Sequence, residues 1–312
     1  MVIVAQIPVS TAKAFSPGHL TGFFATDKIA QIINLNFNGS IGAGFSISKG
    51  INTTVKVYND FSKSYKITIN GIDSADVKVS KFVVEYYLRM IDKQVFISVE
   101  HESEIPIGYG LGSSGSAALS LSYALNRALN TNLSLIQSAQ IAHYADIACK
   151  TGLGSVISEF VGGFEIRTSI GGPGIGKILK IPVPSEYCAV IFCIKPINTD
   201  SILEKSFSSS NNYPLNVSGK IMIQKLLLNP NLDTFLELSH IFAKQYGLLD
   251  GYCKNPIMRL MSAGIKCSVA LFGHTLFTVI KKYDLDKLIS ILKQFEGKLI
   301  ICNIDNIGAR LV

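Results

Sequence analysis

Residues Pro106-Ile-Gly-Tyr-Gly-Leu-Gly-Ser-Ser-Gly-Ser-Ala-Ala-Leu-Ser120 set a glycine-rich turn directly against an apolar, alanine-rich run. Gly108, Gly110 and Gly112 carry no side chain, so the backbone can curl there and bring several N–H groups to one point. Leu111 separates the last two of them. Ser113 or Ser114 stands where a helix begins, and Ala117, Ala118, Leu121, Ala124, Leu125 and Ala128 recur on one helical face. With Gly115 in the first turn, unpaired N–H groups and the positive end of a helix dipole converge, which favours an anion. The stretch reads as a phosphate cradle over residues 108–115.

Two better-known phosphate motifs fit less well. Gly110-Leu-Gly-Ser-Ser-Gly115 matches the dinucleotide fingerprint GxGxxG, but Pro106 and several polar residues separate it from the strand-like Val95–Val99. No acidic residue ends a second strand about 20 residues on, where the chain reads Asn132-Leu-Ser-Leu-Ile-Gln137. No lysine follows the glycines, which excludes a Walker loop. An ordinary turn and helix cap suits the local chemistry equally well, so the loop alone leaves the choice open.

Composition narrows the classes. Of 312 residues, 48% are hydrophobic and 16% charged, which excludes a disordered chain and allows two modest domains or one large one. The net charge of +7 is scattered, with no basic run carrying interleaved aromatics, so a nucleic-acid partner is not expected. A mild positive field suits small anionic ligands. Cys149, Cys188, Cys193, Cys253, Cys267 and Cys302 show no metal-ligand spacing and lie mostly in apolar segments, as small buried side chains do. No signal-peptide pattern opens the sequence, and apolar runs such as Tyr187–Ile194 fall short of the roughly 20 residues a membrane span needs. A soluble, cytoplasmic protein with no membrane partner is expected; a homodimer remains open.

Along the chain, short β-branched and aromatic runs predict strands at Val2–Val9, Ala12–Phe15, Ile41–Ile47, Ile51–Tyr58, Tyr65–Ile69 and Val95–Val99, broken by Gly, Asn or Pro. Val77–Met90 has helical spacing. Helices follow at about 113–129 and 134–149, then a turn at 151–154, a short helix and a strand at Gly163–Thr168. Gly171-Gly-Pro-Gly-Ile-Gly176 reads as a linker or loop. Beyond about 184 the pattern is strand (187–194), helices (200–207, 217–228, 231–245, 256–263), strands (266–272, 275–280), helix (284–294) and strand (298–303). This mixed order predicts an α+β fold with a boundary near residue 184. The acidic cluster Glu100, His101, Glu102 and Glu104 reads as a solvated face.

The glycine loop resembles the PxxxGLGSS phosphate-binding motif of the GHMP kinases. Further segments resemble one branch of that superfamily, the archaeal pantoate kinases: Phe15-Ser-Pro-Gly-His-Leu-Thr-Gly-Phe-Phe24, Gly39-Ser-Ile-Gly-Ala-Gly44 with Ser48-Lys-Gly50, Thr151-Gly-Leu-Gly154 and Gly172-Pro-Gly-Ile-Gly176. Five motifs in the expected order are far more specific than one loop. The resemblance implies a two-domain α+β fold. Residues 1–183 would form an ATP-binding domain of the ribosomal protein S5 domain 2 type, and residues 184–312 a ferredoxin-like domain.

It also implies roles. ATP would lie on Gly108, Gly110, Leu111, Gly112, Ser113, Ser114 and Gly115, and Mg²⁺ between Ser114 and Asp146. Asp146 and His143 share one side of a helix; on the residues alone both fit a solvent face, or His143 a satisfied core position. Most members carry Glu where Asp146 stands. Arg167 matches the family's arginine for the substrate carboxylate, with Ser40, His143 and Thr199 as further substrate contacts. Without the resemblance, Arg167 reads as a surface residue on an edge strand. His19 falls where many members place a catalytic lysine and would offer a donor to the γ-phosphate or substrate.

The departure is Ser155, where the branch has an aspartate that orients the attacking hydroxyl. Serine is no carboxylate base at neutral pH. Three outcomes stay open: a slow or inactive protein; substitution by Glu159, one turn on; or transfer without a base, as in the homoserine kinases. The expected function is Mg²⁺- and ATP-dependent phosphorylation of the pantoate hydroxyl. The alternatives are another hydroxy-acid kinase, for homoserine or shikimate, and a non-catalytic ligand-binding regulator.

Overall fold

The computed structural model describes residues 7–26, 34–74, 77–197, 213–271 and 273–312. Strands β1 (Ser10–Ala25) and β2 (Ile41–Asn59) run antiparallel over their whole lengths, from Ser10↔Val57 to Ala25↔Ile41. The sequence predicts shorter pieces here, broken at Pro17 and Gly50. The structure instead absorbs both residues in one irregularity, a register shift between Pro17 and Gly18. Gly50 is there for close approach, since a Cβ would stand 2.0 Å from Ser16 O. Of the predicted strand Val2–Val9, residues 2–6 lie outside the described residues and 7–9 belong to no strand.

Around this pair the first sheet grows. β5 (Val95–Ser103) pairs with the second half of β2, and β6 (Phe164–Ser169) with the first half, placing Gly42 opposite Arg167. β3 (Ser64–Ile69) runs parallel to β5, with β4 (Ile72–Asp73) beside it, and β7 (Lys177–Ile181) flanks β6. β5 passes through the acidic run, so alternation decides its fate: His101 is buried while Glu102 is exposed. Helices α1 (Lys78–Met90), α2 (Ser113–Leu129), α3 (Leu135–Ala148) and α4 (Ser155–Val161) pack on the sheet and on one another. Val83, Tyr87, Ile97, Leu121, Leu125 and Ala142 meet in the core between them. The break between α2 and α3 is held by Asn126, whose amide bonds both the N–H and C=O of Leu133, and Ser134 caps α3 reciprocally with Gln137.

A second sheet has the order β11-β8-β10-β9, all antiparallel: β8 (Tyr187–Lys195), β9 (Ser268–Val269), β10 (His274–Lys281) and β11 (Lys298–Cys302). Helices α5 (Tyr213–Leu228), α6 (Leu232–Gln245), α7 (Lys254–Ser262) and α8 (Leu285–Leu292) accompany it, close to the predicted ranges. The predicted helix at 200–207 lies outside the described residues. β9 is shorter than the strand predicted over 266–272.

α5 and α6 pack against β1, so the two sheets share a core. Phe235 of α6 lies 5.0 Å from Phe164 and 6.1 Å from Phe277, ring centre to ring centre, and Phe45 lies 5.7 Å from Phe277. After β11 the chain returns to the first sheet. Ile304 bridges Ile47, and β12 (Arg310–Leu311) pairs with the edge of β1.

Candidate active site

Three alternate left-handed glycines shape the loop predicted to cradle phosphate, with φ of 83°, 73° and 69° at Gly108, Gly110 and Gly112. Gly112 is also the N-cap of α2 and has no side chain to satisfy the first-turn N–H groups, which stay available. The loop is pinned from three sides. His19 N–H donates to Leu111 O at 2.9 Å, Ile197 N–H to Gly108 O at 2.8 Å, and Ser116 Oγ to Pro17 O at 2.7 Å. From the second sheet, Gly273 lies so close that a Cβ would stand 2.4 Å from Tyr109 O.

The loop lies between two lobes of one cleft, which share Gly108, Ser113, Ser114 and Thr151. One lobe, about 110 Å³, reaches Ser40, Gly154, Ser155 and Arg167. The other, about 290 Å³, runs along the start of α1, walled by Ile69, Val77, Val79, Ile107 and Ile197 with Ser80 and His101 among them. Nothing in the sequence marks this second lobe as a unit, because its residues come from separate strands, helices and loops.

Asp146, on α3, is buried at the base of the first lobe. Its Oδ1 accepts from Thr151 Oγ1 at 2.6 Å and Ser114 Oγ at 3.2 Å, and its Oδ2 from Ser155 Oγ at 3.3 Å. Burial raises its carboxyl above the usual range, with the three hydroxyls opposing the shift. A Cβ on Gly152 would stand 2.2 Å from Oδ2, so glycine keeps that side clear. A carboxylate and a serine hydroxyl at a helix start, with no cationic partner among the described residues, are a donor set that suits Mg²⁺. Ser155, first residue of α4, is thus drawn to the predicted metal ligand.

Arg167 is no surface residue: it is 1% exposed, on a strand paired on both sides. Its Nη1 donates to Glu165 Oε1 at 2.6 Å and Ser158 Oγ at 2.7 Å, while Nε has no partner among the described residues. Nε and Ser40 Oγ converge at Gly154, where a Cβ would be 3.2 Å from one and 2.5 Å from the other. His19 borders the lobe with both ring nitrogens engaged: Nε2 lies 3.0 Å from Glu165 Oε1 and Nδ1 3.4 Å from Thr21 Oγ1. Burial lowers its pKa, against the carboxylate of Glu165. The ring keeps no N–H for a phosphate, unlike the lysine its position suggests.

His143 and Glu159 lie behind the cleft wall. His143 is covered by Gly172 and donates through Nε2 to Asn38 O at 3.0 Å, leaving Nδ1 unpartnered; burial brings its pKa down to about 4. Glu159 is fully buried beneath the loop, where Cβ atoms on Gly112 and Gly115 would meet its carboxylate at 2.4 and 2.6 Å. Neither oxygen has a hydrogen-bond partner among the described residues, the nearby Ser116 hydroxyl being given to Pro17. Burial, then the charge of Asp146, raises its pKa well above the usual carboxylate range. It is not among the residues that line the first lobe. Thr199 lies outside the described residues. Glu165, which bonds His19, Ser158 and Arg167 behind the first lobe, is marked in the sequence only by its place two residues before Arg167.

The profile of the GHMP kinases N terminal domain matches residues 77–163, from the start of α1 through α4. The pantoate kinase of Methanocaldococcus jannaschii is 34% identical over 292 residues, covering 93% of this chain and 99% of that protein. The pantoate kinase of Thermococcus kodakarensis is 28% identical, covering 88% of this chain and 89% of its own. A solved phosphotransferase related to the CoA biosynthesis pathway superposes with a TM-score of 0.86 at 24% identity, over 97% of this chain and 98% of that one. Matched along nearly its whole length, the chain belongs to the GHMP kinases, the superfamily of ATP-dependent small-molecule kinases.

Proposed function

We propose that this kinase transfers the γ-phosphoryl group of ATP to the 4-hydroxyl of (R)-pantoate, giving 4-phosphopantoate for coenzyme A synthesis. One observation carries the reading: Arg167 Nε, Ser40 Oγ and the loop border one lobe, so an anionic acceptor held at one end presents its hydroxyl toward the cradle. The full-length similarity to two pantoate kinases supports the choice of acceptor.

In this reading the nucleoside occupies the lobe along α1 and the phosphates lie against the free N–H groups that begin α2. Asp146 and Ser114 would hold Mg²⁺, which supplies charge neutralisation on the transferring phosphoryl group. Ser40 and Arg167 orient the acceptor by a hydroxyl and a guanidinium edge. Ser155 has no carboxylate to remove the acceptor's proton; it donates its own to Asp146. The chain's contribution is therefore alignment and a fixed electrostatic frame, which a loose phosphoryl-transfer transition state mainly requires.

A coupled ADP-release assay with (R)-pantoate, homoserine, shikimate and mevalonate, each with ATP and Mg²⁺, tests this. The expected outcome is a kcat/KM for pantoate at least ~100-fold above the others. A better acceptor among them overturns the pantoate assignment. Pantoate binding without ADP release favours the regulatory reading that Ser155 raises.

A further inference from the structure

Glu165 is 0% exposed and lies outside the cleft, yet two of the residues it grips, His19 and Arg167, border it. Its Oε1 gathers three groups: His19 Nε2 at 3.0 Å, Arg167 Nη1 at 2.6 Å and Ser158 Oγ at 3.1 Å. Ser158 Oγ in turn accepts from Arg167 Nη1 at 2.7 Å. Glu165 and Arg167 are two apart on β6, hence on one face of the strand. His19 reaches that face from β1 and Ser158 from α4.

A buried ion pair of this kind is a poor way to gain stability, because desolvation of both charges offsets their attraction. Its geometry has another effect. By taking Nη1, Glu165 fixes the rotation of the guanidinium and leaves the Nε edge toward Ser40 and Gly154. By accepting from His19 Nε2, it fixes the proton on that nitrogen of a neutral ring. The wall that meets the acceptor is then directional but carries almost no net charge.

We propose that Glu165 is the positioning residue of the acceptor pocket: it aims Arg167 and moderates its charge, exchanging ground-state affinity for alignment. This rests on the reading that Arg167 receives the acceptor's carboxylate.

The test uses the full chain with (R)-pantoate and the corresponding amide. Glu165→Gln keeps the shape and removes the charge. The guanidinium then faces the carboxylate uncompensated but is less well held. The expected result is a pantoate Kd, measured without ATP, at least ~5-fold tighter, together with a kcat at least ~10-fold lower. A purely structural residue would not tighten binding, so an unchanged or weaker Kd in folded Glu165→Gln overturns the proposal. Should that variant not fold, Ser158→Ala keeps both charges and removes the hydroxyl that accepts from Nη1 and contacts Glu165 Oε1 and Gly154 O. A several-fold lower kcat with Kd within about twofold supports the proposal, and an unchanged kcat overturns it. Arg167→Gln separates the two readings. If it retains the preference for pantoate over the amide, Arg167 does not hold the carboxylate and the acceptor reading fails. If it abolishes that preference while Glu165→Gln behaves as wild type, only the role of Glu165 fails.

Discussion

At Asp146 one side chain serves three hydroxyls, and no cation pairs with it among the described residues. Asp146→Asn keeps the size, removes the charge and replaces one acceptor oxygen with a donor facing those hydroxyls. We expect kcat to fall by roughly 10²–10³-fold, as when a transition-state charge stabiliser is lost, and steady-state kinetics with saturating Mg²⁺ would reveal it. Full activity in that variant would remove the metal role. Ser155 Oγ lies 3.3 Å from Asp146 Oδ2, so Ser155→Asp brings a second carboxylate close to the first. Without divalent cation the like charges should lower Tm, by a few degrees for about 1 kcal/mol. Mg²⁺ should raise the variant's Tm more than the wild type's, and in its presence turnover should equal or exceed wild type. A variant whose Tm is insensitive to Mg²⁺ would place the ion elsewhere. At this scale the sequence was legible by type but not by partner. Asp146, Ser114, Ser40 and Arg167 do border or underlie one lobe, whereas nothing local announces that Glu165 engages His19 or that Glu159 lies beneath the loop. Those relations cross long stretches of chain, and linear spacing carries no signal of them.

Among the elements, the loop and α2 depend on their glycines most at Gly112. An alanine there would have φ near +69° and its Cβ 2.4 Å from Glu159 Oε1, so either the turn or the carboxylate must move. Gly112→Ala should raise KM for ATP by about tenfold or more while leaving acceptor binding measured without ATP within about twofold. Equal damage to both would mean that the loop does not act alone. On β5, His101 lies between Thr53 Oγ1 at 2.8 Å and Ser80 Oγ at 3.0 Å, and burial brings its pKa down to about 4 from 6.5. Between those values the unfolded chain binds the proton that the folded one refuses, so stability rises with pH from about 4 to 6.5 and is lost as pH falls. The full loss for such a buried ring is about 3 kcal/mol. His143 shifts in the same sense, while Glu159, raised by burial, acts oppositely. Urea unfolding at pH 4.5 and 7 should therefore show a smaller pH difference in His101→Gln than in wild type. An identical difference would mean that His101 is protonated when folded. Helix boundaries were readable here because Gly112, Ser134 and Asn231 punctuate them; β1 and β2 were not, because Pro17 and Gly50 signal breaks that the pair accommodates as a bulge and a close crossing.

For the molecule as a whole, the α+β class follows from the order of periodicities, but the joining of its parts does not. Phe45, Phe164, Phe235 and Phe277 come from four distant segments and read individually as ordinary core residues. The return of the chain to the first sheet is equally silent, since two residues make a strand only when an edge awaits them. Asp305 holds that return. Its Oδ1 accepts from the N–H groups of Ile307 and Gly308 at 3.0 and 2.8 Å, and its Oδ2 from Arg310 Nη1 at 3.0 Å. Asp305→Ala leaves those donors unmet and should cost about 2–4 kcal/mol. With the sheets sharing one core, the loss should appear as one cooperative transition at lower denaturant; two separate transitions would show that the halves unfold independently.

That returning segment also closes over α4: Ala309 N–H donates to Glu159 O at 2.9 Å, and Gly308 lies so near Phe160 O that a Cβ would be 2.2 Å away. The helix that carries Ser155, Ser158 and Glu159 is thus latched by a segment far along the chain. Loosening that latch would slacken the wall behind the cleft without touching any residue that lines it.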